Sequence, residues 1–138
     1  MDRETNASNE MYNEPYYVAK SQNGWGVGMV GLEAEDGSDL DHAGIIGLVM
    51  TNFKIDGKNI KKARIRNRRG KWLPYKSSNE ALGDDTTVTG IEIVGSGYTV
   101  SVHIMGGSWL TSMNTSDVDG EILVGNGAPI DAVWIDKL

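Results

Sequence analysis

Tyr98-Thr99-Val100-Ser101-Val102-His103-Ile104 is the stretch whose reading decides the fold. Apolar and polar residues alternate through it, which is the signature of a half-buried strand. A Gly106-Gly107 turn follows, then Ser108-Trp109-Leu110, so the chain reads as a strand and a tight hairpin. An acidic loop, Ser116-Asp117-Val118-Asp119-Gly120, leads to a closing run, Pro129-Ile130-Asp131-Ala132-Val133-Trp134-Ile135. Strand, hairpin, loop and strand make one unit, and working outward from it finds two more.

In the middle of the chain, Ala63-Arg64-Ile65-Arg66 aligns with Val100 to His103, and Gly70-Lys71-Trp72-Leu73 with Gly107 to Leu110. Gly83-Asp84-Asp85 supplies the acidic loop, and Val88-Thr89-Gly90-Ile91-Glu92-Ile93 stands against Ile130 to Ile135. Near the start, Tyr16-Tyr17-Val18-Ala19-Lys20 is extended and Asn23-Gly24 signals a hairpin before Trp25. Aligning Trp25 with Trp109 places Ala19 on His103. The loop Ser38-Asp39-Leu40-Asp41 then mirrors Ser116 to Asp119, and Met50 to Asp56 is the expected closing run.

These units, about residues 16–57, 58–95 and 96–138, predict an all-β domain of three pseudo-symmetric repeats. A β-trefoil is the expected architecture because the units are short and the Gly-x-Trp-Leu hairpin is tight; a three-sheet β-prism satisfies the same strand pattern. Residues 1–15 are polar and patternless and read as a disordered leader.

Composition sets the outer limits. The chain has 138 residues, a length typical of one domain. It has no cysteine, which removes disulfides and cysteine-ligated zinc. No apolar run approaches the roughly 20 residues of a membrane-spanning helix, so no membrane role is expected. Met1 to Asn6 lacks the apolar segment of a secretory signal, which suggests a leaderless protein or a domain from a longer one. The net charge of −6 is unevenly laid out: the nine basic residues between Lys58 and Lys76 are interrupted by no acid.

Four constellations carry chemistry. Trp25, Trp72 and Trp109 hold one repeat position; they either stack on sugar rings or pack beneath the barrel. The acids Asp36, Asp39, Asp41, Asp84, Asp85, Asp117, Asp119 and Glu121 recur in loops, where they suit sugar hydroxyls or merely shape solvated turns. No segment has the EF-hand spacing of a calcium loop. His42 and His103 fall at different repeat positions, and neither belongs to a nucleophilic triad, so neither catalysis nor a cofactor is expected. Arg64 and Arg66 alternate about an inward Ile65; with Arg68, Arg69 and Lys71 they form a stripe for a polyanion or a solvated face. The overall acidity argues against nucleic acid.

Val102-His103, Gly106-Gly107-Ser108-Trp109-Leu110, Asn114-Thr115-Ser116-Asp117 and Pro129-Ile130-Asp131-Ala132-Val133-Trp134-Ile135 together resemble one unit of a known tandem repeat. These repeats are appended to peptidoglycan amidases of clostridia and are similar to the clostridial hydrophobic repeats with a characteristic tryptophan. His42-Ala43-Gly44 and Gly70-Lys71-Trp72-Leu73-Pro74 resemble further segments of the repeat. The resemblance implies a non-catalytic, extracellular or cell-wall-associated module that holds a hydrolase or surface protein of a Gram-positive bacterium on a wall glycan. Only the third unit keeps both the histidine and the Pro-Ile-Asp-Ala run, since Ala19 and Arg66 take the histidine's place elsewhere. The binding site is therefore expected around Trp109, Asn114, Asp117, Asp119 and His103, with lesser sites at Trp72, Asp84 and Asp85 and at Trp25, Asp39 and Asp41. A protein-interaction or inhibitor domain of the same threefold fold is the alternative.

Overall fold

A computed structural model describes residues 16–21, 24–25, 29–30, 44–51, 59–77 and 80–138. Among these residues every regular element is a β-strand. The first unit contains β1 (Tyr16–Ser21), β2 (Gly24–Trp25), β3 (Met29–Val30) and β4 (Gly47–Thr51). The second contains β5 (Asn59–Arg66) and β6 (Gly90–Ser96), and the third β7 (Tyr98–Ile104), β8 (Met113–Asn114), β9 (Leu123–Val124) and β10 (Ile130–Lys137).

Three antiparallel sheets result. In the first, β1 pairs with β2, β3 and β4; the second runs β5-β6-β9 and the third β10-β7-β8. Each unit pairs its first long strand with its last, as β7 does with β10. The alternation along β7 predicts this, for Tyr98, Val100, Val102 and Ile104 are all buried. Ile91, Ile93, Val133 and Ile135 face the same core from β6 and β10. Each such side chain, fully buried, contributes roughly 1.5–3 kcal/mol of transfer free energy.

Two features bind the units to one another. The loop segment of one unit reaches the last strand of the unit before it: Leu82 bridges to Leu48, and Val124 pairs with Ile91. In addition, Ile45 N–H donates to Ile130 O (2.8 Å), Ile130 N–H to Val88 O (3.0 Å) and Val88 N–H to Ile45 O (2.8 Å). This closed ring of backbone hydrogen bonds takes one residue from each unit and lies on their pseudo-threefold axis.

The ring corrects the expected closing run of the first unit. Ile45, not Met50, is the counterpart of Val88 and Ile130, and the strand is Gly47–Thr51. The apolar run Ile45 to Met50 is buried or half-buried wherever its side chains are described, as the axis requires. The later alternation through Phe53 and Ile55 suggested the wrong register, and Asn52 to Asp56 lie outside the described residues. So do residues 1–15, the loop carrying Asp36, Asp39 and Asp41, and His42.

Candidate functional site

Each unit sets a basic residue of its first strand opposite its tryptophan. Lys20 pairs with Trp25, Arg66 with Trp72 and His103 with Trp109. The expected alignment of Ala19 with His103 is thus one residue out. The first hairpin is shorter, closing from Ser21 directly to Gly24, and the shorter turn brings Lys20 to the position. Lys20 Nζ stands 5.8 Å from the Trp25 ring and Arg66 Cζ 5.6 Å from that of Trp72. The His103 and Trp109 rings meet edge to face at 5.3 Å.

None of these indoles belongs to the core. Trp25 is 48% exposed, and Trp72 and Trp109 are half-buried. Across from the basic position, the last strands carry Gly47, Gly90 and Ala132. A Cβ at Gly90 would come 3.2 Å from Trp72, and one at Gly47 3.6 Å from Trp25. In the first two units glycine therefore lets the indole lie against the strand. In the third a methyl group occupies that place.

The second unit fills its surface from within. The Arg64 guanidinium lies 4.8 Å from the Trp72 ring and 4.6 Å from that of Tyr75. Its Nε donates to Glu92 Oε1 at 2.6 Å. Glu92 is buried and also accepts from the Tyr75 hydroxyl (2.8 Å) and from Gly120 N–H. Such a carboxylate persists in the interior because every approach to it is by a donor. Burial, followed by the neighbouring Glu92 carboxylate, pushes the Tyr75 phenol above its ordinary pKa. Arg64 and Arg66, two members of the expected basic stripe, are thus turned to internal partners, since Arg66 Nη2 donates to Thr89 O at 2.8 Å.

The third unit carries different residues at the same places. Ser101 pairs with Trp134 where Arg64 pairs with Glu92. Trp134 is 38% exposed, and its ring meets that of Trp109 edge to face at 6.3 Å. The ladder between β7 and β10 is irregular between Ile130 and Ala132. Asp131 is the extra residue there, and such a bulge re-aims its side chain. The buried Asp131 carboxylate accepts from His103 Nδ1 at 2.6 Å. In the neutral imidazole this contact places the proton on Nδ1 and leaves Nε2 as an acceptor. Two indoles, an oriented imidazole and a carboxylate are together on one face of this sheet.

The acidic loops are largely engaged by the chain itself. Asp85 meets Lys20 (3.0 Å), Asp117 meets Lys61 (3.4 Å) and Asp119 meets Lys62 (2.7 Å). Asp84 accepts from Thr86 Oγ1 (2.6 Å) and Asn67 Nδ2 (3.0 Å), and these bonds hold its pKa below the usual carboxylate value. Asn114 is exposed opposite Thr99, four positions along β7 from His103; at strand spacing that is about 13 Å. The structure therefore unites Trp109 with His103 but holds Asn114, Asp117 and Asp119 away from them. It adds Trp134 and Asp131, which sequence reasoning did not single out. Trp134 could have been found, because it alternates with the apolar Val133 and Ile135 and so must face outward.

Among the described residues no three His, Asp or Glu side chains gather as a metal site. A recess of about 250 Å³ lies in the second unit among Ile65, Leu73, Pro74 and Leu82. Compared with protein-family models, curated proteins and solved structures, the chain finds no match.

Proposed function

We propose that this protein is a non-catalytic carbohydrate-binding module of the bacterial cell wall, built as a β-trefoil, with its principal site on the third unit. The observation that carries the reading is the Trp109–Trp134 indole pair beside the His103–Asp131 contact. A sugar presents an apolar C–H face and a rim of hydroxyls. Indoles take the first, and a fixed imidazole acceptor takes one of the second. The trefoil assignment is supported by the axial ring of Ile45, Val88 and Ile130 and by the pairing of the second and third units' loops with the unit before each.

The proposed site is smaller than the one expected from sequence. Trp109 and His103 remain in it, Trp134 and Asp131 join it, and the ion-paired Asp117 and Asp119 leave it. The Trp72 surface is self-occupied by Arg64, so the second unit contributes little to sugar binding. An extracellular location, and attachment to a wall hydrolase or surface protein, follow from the same proposal.

Sedimentation with purified peptidoglycan sacculi, alongside a glycan array, tests the reading. Trp134→Ala should weaken binding more than tenfold, as truncation of a ligand-contacting aromatic anchor by roughly 2 kcal/mol does. Because Trp134 lies outside the core, its thermal midpoint should stay near that of the parent. Failure of the folded parent protein to bind any glycan would end this proposal.

A further inference from the structure

The turn after β5 carries Arg68, Arg69 and Lys71, all exposed. Lys20, Lys61, Lys62 and Arg64 each have a carboxylate partner, and Arg66 turns inward to Thr89. The side chains of Arg68, Arg69 and Lys71 have no such partner among the described residues. The nearby Asp84 carboxylate is held by Asn67 and Thr86.

The turn itself is firmly built. Buried Asn67 accepts through Oδ1 from the backbone N–H groups of Arg69 and Lys71, both at 3.0 Å. Gly70 closes the turn at φ 82°, and a Cβ there would meet nothing within 4 Å, so the tip stands in open space. The third unit supplies an internal control. Its turn, Met105-Gly106-Gly107-Ser108, is closed by the same backbone bond, Gly107 N–H to Ile104 O, as Gly70 N–H to Asn67 O. It carries no charge, so the three cations of the second unit are not required by the hairpin.

We propose that this tip is a second binding site, for a base-free phosphodiester polyanion. Arginine forks match phosphate oxygens in pairs, and neutralising successive phosphates releases counterions. A nucleobase would need an offered ring for stacking, whereas the nearby Trp72 and Tyr75 rings hold Arg64 between them. The site is separate from the indole face of the third unit and does not depend on sugar binding there.

The test compares the parent chain with R68S/R69S/K71S for binding to synthetic poly(glycerol phosphate) and to single-stranded DNA of equal phosphate number. At low salt the parent should bind the glycerol polymer, with log K falling on log salt at a slope near about −2 for three contacts. The triple variant should lose at least about tenfold in affinity while keeping its thermal midpoint and its sacculus binding. Lys61→Ser, which removes one cation elsewhere, should bind as the parent does. Absence of binding by the folded parent at low salt, or equal binding by the triple variant, overturns the proposal. A decisive preference for DNA replaces it with a nucleic-acid site.

Discussion

Asp131 is 1% exposed and stands at an irregularity of its ladder, so its carboxylate has little water and must find a donor within the fold. His103 is that donor, and the pair is a unit of stability as well as of shape. His103→Ala strands the carboxylate and should cost roughly 1–3 kcal/mol in urea unfolding. Removing both side chains should cost less than the sum of the single losses by at least about 0.5 kcal/mol, because contacting residues couple. Additive losses would mean that the contact does no stabilising work. Trp109 stands out in the sequence by its repeat position and His103 by the family resemblance, and the structure sets their rings 5.3 Å apart. Asp131 does not stand out in the sequence, because an acid within the apolar run from Ile130 to Ile135 reads as an ordinary solvent-facing position until the bulge brings it against His103. The engagement of Asp117 and Asp119 was equally hidden, since Lys61 and Lys62 lie far away in sequence and meet them only through packing of one unit on another.

The elements repeat the same lesson in their registers. β7 and β10 were readable because alternation and burial coincide, whereas the first unit slipped by one residue at its hairpin and by five at its closing strand. Turn length and axial pairing set those registers, and neither is a property of a single strand. Two glycines fix where a loop meets the preceding unit. At Gly83 and Gly125, with φ of 110° and 133°, a Cβ would lie 2.6 and 2.7 Å from the carbonyl oxygens of Ile46 and Thr89. Gly125→Ala should therefore cost about 2 kcal/mol or more. Gly120→Ala, at φ 76° with open space around it, should cost only about 1 kcal/mol. Urea midpoints of the two variants give the comparison, and equal losses would refute the steric account. The Tyr75–Glu92 contact between the Trp72 segment and β6 has a pH signature of its own. The folded protein holds the phenolic proton more tightly than the unfolded chain, so the stability present below the ordinary value of 10.0 is lost as pH rises through the raised one. Urea midpoints between about pH 9 and 11 should fall less for Tyr75→Phe than for the parent, since the variant has no phenol to ionise.

On the scale of the whole molecule, no unit completes its own backbone or its own core. Ile45 N–H finds its acceptor on Ile130, Leu48 pairs with Leu82, and Ile91 pairs with Val124. The core correspondingly draws on all three units, from Ala19 to Ile135. This interdependence also lets the three surfaces diverge. Because symmetry is held by the axis, the outward positions are free to carry Arg64 and Glu92 in one unit and Ser101 and Trp134 in another. A chain ending at Ser96 would retain β1 to β6 but lose Ile130 from the axial ring and Val124 from the edge of β6. The Ile45 N–H, the Val88 carbonyl and the buried Gly95 N–H, which now donates to Ser116 O, would then lack partners, at about 1–3 kcal/mol each, and the apolar faces of β4 and β6 would be uncovered. That total is comparable to the marginal stability of a domain, roughly 5–15 kcal/mol. The truncated chain should therefore show no cooperative thermal transition by circular dichroism, while the full chain should unfold in a single step. A separate, sharp transition in the shorter chain would show that two units suffice and that threefold closure is not what holds the fold.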